Sequence, residues 1–124
     1  MKTTTLLILV SLVSVKLFAQ ENEQKVRLAK LVIDSTHLEV YNAFLREEIE
    51  TSVKIEPGVI MLYAVAEKNR PTHITILEIY ANEGVYKAHI QTSHFLKYKN
   101  GTMQMVKSLE LIEAISLMPQ MIER

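Results

Sequence analysis

The stretch Glu56-Pro57-Gly58-Val59-Ile60-Met61-Leu62-Tyr63-Ala64-Val65-Ala66-Glu67-Lys68-Asn69-Arg70-Pro71, followed by Thr72 to Tyr80, decides the fold class. Pro57 biases the residue before it away from helical geometry, so a preceding helix ends there, and Gly58 permits a sharp turn. Val59 to Ala66 is almost continuously apolar, as in a central strand buried on both faces. Glu67 to Pro71 is a polar, Pro-terminated break, and Thr72 to Tyr80 resumes a β-branched pattern. The two strands read as an antiparallel hairpin with a five-residue loop.

Working outward, Val26 to Ile33 is dense in apolar residues and reads as a first strand, stopped by Asp34-Ser35-Thr36. Thr36 with Glu39 has the spacing of a capping box, and Leu38, Tyr41, Leu45, Ile49 and Val53 follow at steps of three and four. They predict an amphipathic helix with Arg46, Glu47, Glu50 and Lys54 on its wet face. Downstream, Asn82 is placed to cap a short helix to about Ile90, and Thr92 or Ser93 a second one past Tyr98. Asn100-Gly101 reads as a stop or kink. A last strand falls between Ser108 and Leu117, and Pro119 closes the domain. The order β-α-β-β-α-β is the ferredoxin-like α+β arrangement, an antiparallel sheet with helices on one face. The uncovered sheet face would then be apolar, so two protomers are expected to pack sheet against sheet as a homodimer.

The ends carry a different message. Lys2 precedes an apolar block from Leu6 to Val15, and Ala19 offers a small residue at a cleavage position, so residues 1–19 read as a signal peptide directing the protein out of the cytoplasm, to the periplasm or beyond. Residues 20–24 form a polar leader, 25–119 the domain and 120–124 a tail. The whole chain has 14 basic and 14 acidic side chains; without Lys2 and Lys16 the mature part carries a net charge of −2. That balance, with no long run of one sign, argues against nucleic acid. With no cysteine, thiolate chemistry and Cys-based metal sites are excluded.

Chemistry concentrates between Leu77 and Phe95, where Glu78, Tyr80, Asn82, His89, His94 and Phe95 crowd the passage from strand to helices. An imidazole has an ordinary pKa of about 6.5 and exchanges protons near neutrality, so His89 and His94 are the catalytic candidates. Their five-residue separation does not match two metal ligands on one helical face, and no metal is expected. Glu78 is either an edge ion pair or a pocket acid, Tyr63 and Tyr80 either core residues or pocket walls, and Asn82 a helix cap or a pocket group. No phosphate loop or nucleophilic triad is present.

Glu56-Pro57-Gly58 entering a strand, the Pro71 turn, Glu78-x-Tyr80, and Ala88-His89-x-x-Thr92-x-His94-Phe95 together resemble the antibiotic biosynthesis monooxygenase family, in its quinol monooxygenase and autoinducer-2-degrading flavour, over residues 25–119. The resemblance implies a dimeric α+β barrel that oxidises a small quinol or polyphenol with molecular oxygen and without flavin, haem or metal. His89 and His94 would be base and substrate-orienting group, in either order. Tyr80 and Asn82 would hydrogen-bond the substrate beside Glu78, with Tyr63 and Phe95 in contact with it. The chain has no tryptophan, and Tyr80 stands where many relatives carry one, which disfavours haem degradation. A proton-transferring isomerase or lyase on a small carbonyl compound, and a non-catalytic exported binding domain, are the alternatives.

Overall fold

The structure, a computed structural model, describes residues 23–118. The signal segment 1–19, Pro119 and the tail 120–124 lie outside the described residues, as does most of the polar leader. Seven principal elements follow one another: β1 (Lys25–Ile33), α1 (Leu38–Ile55), β2 (Val59–Glu67), β3 (Arg70–Tyr80), α2 (Glu83–His89), α3 (Ser93–Thr102) and β4 (Val106–Ala114). The strands form one antiparallel sheet in the order β2-β3-β1-β4. This is the ferredoxin-like α+β fold, helices layered on one sheet face.

Alternation along the strands sets the two faces. Ala29, Leu31, Ile33, Ile74 and Ile76 point at the helices and close a core with Tyr41 and Leu45 of α1. On the opposite face, Tyr63, Leu77, Leu28 and Ile112 stand in one cross-strand row. Contrary to the two-sided burial expected of β2, that face is open along β2, where Tyr63 is 62% exposed and Val65 49%, while Val26 and Ile79 on the same face are buried.

Three local expectations are corrected. Thr36 and Glu39 form no capping box, because Asp34 Oδ1 takes both the Thr36 amide, at 3.0 Å, and its hydroxyl, at 2.8 Å, in a 3₁₀ turn that precedes α1. The hairpin turn is tighter than five residues, spanning Lys68-Asn69. Arg70 already belongs to β3 and is clamped across the turn to Glu67. Pro71 is tolerated in β3 because it lies beyond the last β1 pair, Val32 with His73, and, on the β2 side, within the irregularity where the register shifts between Ala66 and Glu67. Finally, α3 runs through Asn100-Gly101 without a stop. Gly101 is needed for space: a Cβ there would sit 2.6 Å from Phe44 Cε1. Gly58 is likewise a close-approach residue, its would-be Cβ 2.6 Å from Val85 Cγ2, so β2 starts directly against α2.

Candidate functional site

Between the sheet and the helices lies a cavity of about 560 Å³, within the range of small-molecule sites. Arg27, Glu48, Glu78, Tyr86, His89 and Phe95 are among its walls. Each arrives for a local reason. Arg27 and Glu78 face each other in register on β1 and β3, on the helix side of the sheet. Glu48 belongs to the buried stripe Tyr41, Leu45, Glu48, Ser52, whose steps of four, three and four keep it on the inner side of α1. Asn82 caps α2 by accepting the Val85 amide at 2.9 Å, and Thr92 caps α3. Those caps fix where α2 begins and where α3 begins, beside His94, and the Thr92 hydroxyl also donates to the His89 carbonyl at 2.7 Å, tying the end of α2 to the start of α3.

The two histidines meet on one carboxylate. Glu56, at the end of α1, accepts through Oε2 from His89 Nδ1 at 3.0 Å and from His94 Nε2 at 2.7 Å. Burial opposes the Glu56 charge, but the hydrogen bonds from His94 and His89 outweigh it and hold its carboxyl below the usual value. An ionised carboxylate only accepts, so His89 keeps its proton on Nδ1 and turns Nε2 toward the cavity wall. There Nε2 lies 3.3 Å from Glu48 Oε1. Burial pushes the Glu48 carboxyl above its ordinary value, although the Ser52 hydroxyl, at 2.8 Å, and the imidazoles pull the other way. The result is a carboxyl shifted upward by burial against an imidazole nitrogen whose tautomer is fixed from behind, an arrangement able to take a proton from a ligand and return it.

A second cluster lies on the sheet. Tyr80 donates to Glu78 Oε1 at 2.6 Å, Arg27 Nη2 donates to the same oxygen at 3.2 Å, and Arg27 Nη1 donates to the Tyr86 hydroxyl at 2.7 Å. Burial, then the Glu78 charge, drives the Tyr80 hydroxyl far up, so it stays a donor. Burial works against the Arg27 charge, but Glu78 more than offsets it. The Tyr80 ring stacks 5.3 Å from that of His89, and Phe95 covers His89 at the same centroid distance.

The structure thus gathers Glu78, Tyr80, His89, His94 and Phe95 into one neighbourhood. Of these, Glu78, His89 and Phe95 line the cavity, Tyr80 and His94 stand behind that wall, and Tyr63 and Asn82 do not reach it. Tyr63 alternates onto the open sheet face, and the Asn82 side chain is spent on its helix cap. Residues that the sequence did not single out for the site are Arg27, Glu48, Glu56 and Tyr86. Of these Glu48 had a signal, an acid inside an apolar stripe. The five-residue spacing of His89 and His94 bears on a single helix only: Glu48, His89 and His94, from three elements, each offer a donor atom, all within 4.8 Å of one another.

The antibiotic biosynthesis monooxygenase family model matches residues 26–101. A solved structure from Bacteroides thetaiotaomicron VPI-5482, named as a candidate antibiotic biosynthesis monooxygenase, is 61% identical, with a TM-score of 0.76 over 77% of this chain and 90% of that one. A candidate monooxygenase from Lactobacillus acidophilus NCFM is 27% identical (TM-score 0.72), over 74% of this chain and 44% of the other. A protein of Nitrosomonas europaea at 19% identity shares the fold, with a TM-score of 0.73 over 79% and 94% of the two chains. No match was found among curated proteins. With the family model covering most of the domain, and a relative this similar over nearly its full length, the chain belongs to the antibiotic biosynthesis monooxygenase family.

Proposed function

We propose that the protein is a monooxygenase that oxidises a small quinol or polyphenol with molecular oxygen, using no flavin, haem or metal. The observation that carries this reading is the His89 Nε2 beside Glu48 in the cavity wall, its other nitrogen held by Glu56. His89 removes the phenolic proton, and the electron-rich anion itself reduces oxygen, the role a cofactor fills elsewhere. For a phenol with a free ring C–H the balance is phenol plus O₂ to quinone plus water: one oxygen atom enters the ring, the other leaves as water. The proton held at His89 and Glu48 returns to the departing oxygen.

The reading includes a homodimer joined through the open sheet face, supported by the apolar row of Tyr63, Leu77, Leu28 and Ile112, and an export signal over residues 1–19. The same acid–imidazole pair favours one other reading, proton transfer on a small carbonyl compound without oxygen. Oxygen consumption by the purified protein across a panel of quinols and anthrone-like phenols, beside the His89→Gln variant, separates the two. Uptake above autoxidation that is lost in the variant supports the oxygenase. Equal rates for both proteins across the panel would remove that reading.

A further inference from the structure

Three side chains able to ligate a metal converge from three elements. Glu48 of α1, His89 at the end of α2 and His94 in the first turn of α3 each offer one donor atom, and these lie within 4.8 Å of one another. All three are withdrawn from water, their side chains 7%, 3% and 12% exposed. On a tetrahedral ion with bonds of about 2.0–2.1 Å, neighbouring donors stand about 3.4 Å apart. His89 Nε2 and Glu48 Oε1 already hold that spacing, at 3.3 Å. The widest gap of the set closes to it with an inward shift of about 1 Å.

The surroundings suit an ion as well as the donors do. Glu56 takes the Nδ1 proton of His89 at 3.0 Å, which leaves Nε2 with its lone pair toward Glu48, and the same Glu56 oxygen tethers His94 at 2.7 Å. A carboxylate behind a ligating imidazole orients the ring and raises its basicity. Ser52 donates to Glu48 Oε1 at 2.8 Å and orients that carboxylate in turn. The charges of Glu48 and Glu56 together match those of a divalent cation, so the filled site is neutral in a wall where an unpaired charge is costly. Arg27 and Glu78, which line the same cavity, are already paired with each other. Because His89 and Glu48 also line the cavity, a fourth position on the ion opens onto it.

We propose that Glu48, His89 and His94 form a binding site for one divalent transition-metal ion of the zinc class, with Glu56 as its outer carboxylate. Two imidazoles and one carboxylate select such an ion over magnesium or calcium, which take oxygen donors. The ion stands where a proton between His89 and Glu48 would stand. It occupies His89 Nε2 and so blocks the proton transfer proposed above, as an inhibitor of that reaction and not its cofactor. The binding itself goes beyond that reaction and does not rest on it.

The test is a titration of the tag-free, metal-stripped full chain with Co²⁺, read by its visible absorption, and with Zn²⁺, read by calorimetry. One equivalent of Co²⁺ should develop the intense bands of a four- or five-coordinate ion. Zn²⁺ should displace it, and a large excess of Mg²⁺ should not. Glu56→Gln should weaken Zn²⁺ binding about tenfold, the usual worth of an outer partner, and Glu48→Gln and His94→Gln, which each remove a ligand, by at least about a hundredfold. Each of these is read on its own, so where one fails to fold the others decide. The paired change His37→Gln and His73→Gln, which removes the remaining two histidines, should leave binding unchanged. No cobalt spectrum and no heat at one equivalent, affinity untouched by the Glu48 and His94 changes, or binding lost with His37 and His73 overturns the proposal. Binding is read without substrate, so its absence would leave the oxygenase standing, and a site that binds in a protein without oxygen uptake would remove only the oxygenase. Where there is uptake it should fall in step with occupancy. Uptake that persists at full occupancy would remove the blocking role, and His89 as the base with it.

Discussion

Glu56 and His89 lie 33 residues apart in sequence and meet at 3.0 Å, Oε2 to Nδ1, across the junction of α1 and α2. Because Glu56 holds the Nδ1 proton, only Nε2 is left for chemistry. Replacing His89 by Gln should therefore lower oxygen consumption by about 10²- to 10⁴-fold, the usual worth of a positioned base. Glu56→Gln retains an acceptor without the charge, and should cost about tenfold in kcat with little change in KM. Steady-state oxygen uptake on folded variants checks both, and an unaltered kcat for Glu56→Gln would count against the tautomer argument.

Glu48 and Glu56 should bend the pH dependence of stability in opposite directions. Burial raises the folded-state value of Glu48 above its ordinary 4.5, so its stabilising contribution is whole below that pH and is lost as pH rises through the folded value. Glu48→Gln should be more stable than the parent at neutral pH, by on the order of 1 kcal/mol, with the gap closing in acid. Glu56 lies below its ordinary 4.5, so it stabilises above that pH and loses its contribution as pH falls through the folded value. Glu56→Gln should thus be the less stable protein at neutral pH and match the parent in acid. Urea unfolding at a series of pH values reads both, and parallel curves for the two variants would contradict this assignment.

Gly58→Ala places a methyl group 2.6 Å from Val85 Cγ2 and 2.7 Å from Cγ1, so α2 must move off β2. The expected cost is about 1–3 kcal/mol, with a loss of activity because His89 rides on that helix. Val85→Ala in the same chain should recover much of both, a coupling that a double-mutant cycle measures directly.

Tyr63→Glu puts a charge at the β2 end of the apolar row on the open sheet face. Sedimentation equilibrium should show the parent as a homodimer and the variant as a monomer, since an unpaired charge sealed in such an interface costs several kcal/mol. A parent that sediments as a monomer would dispose of the sheet-to-sheet dimer.

The fold was legible because long apolar runs with two different periods carry it: period two in Thr72 to Tyr80, steps of three and four from Leu38 to Val53. What escaped was set by competition between local groups. Thr36 has the spacing of a cap toward Glu39, but Asp34 is closer and takes its hydroxyl. Asn100-Gly101 has the local character of a stop or kink, but Phe44, 57 positions before Gly101, uses the missing side chain as a seat. The site was half legible. His89, His94 and Glu78 stand out as polar groups in a suggestive run, whereas Arg27 hides in a strand whose neighbours are apolar. Glu56 looked like nothing more than the residue ahead of a proline. Their roles depend on register between β1 and β3 and on where α1 stops, and neither distance along the chain nor residue type reports those.

His89, the proton acceptor of the proposed reaction, is the last residue of α2, a helix of seven residues. A helix that short does not persist unaided in water and exists here only while docked against β2 and β3. Local opening of such an element requires less free energy than global unfolding, so on warming the protein should be disarmed before it melts. Its amides should exchange with deuterated solvent ahead of those of the central strands, and the temperature at which activity fades should track that exchange rather than the melting of the sheet.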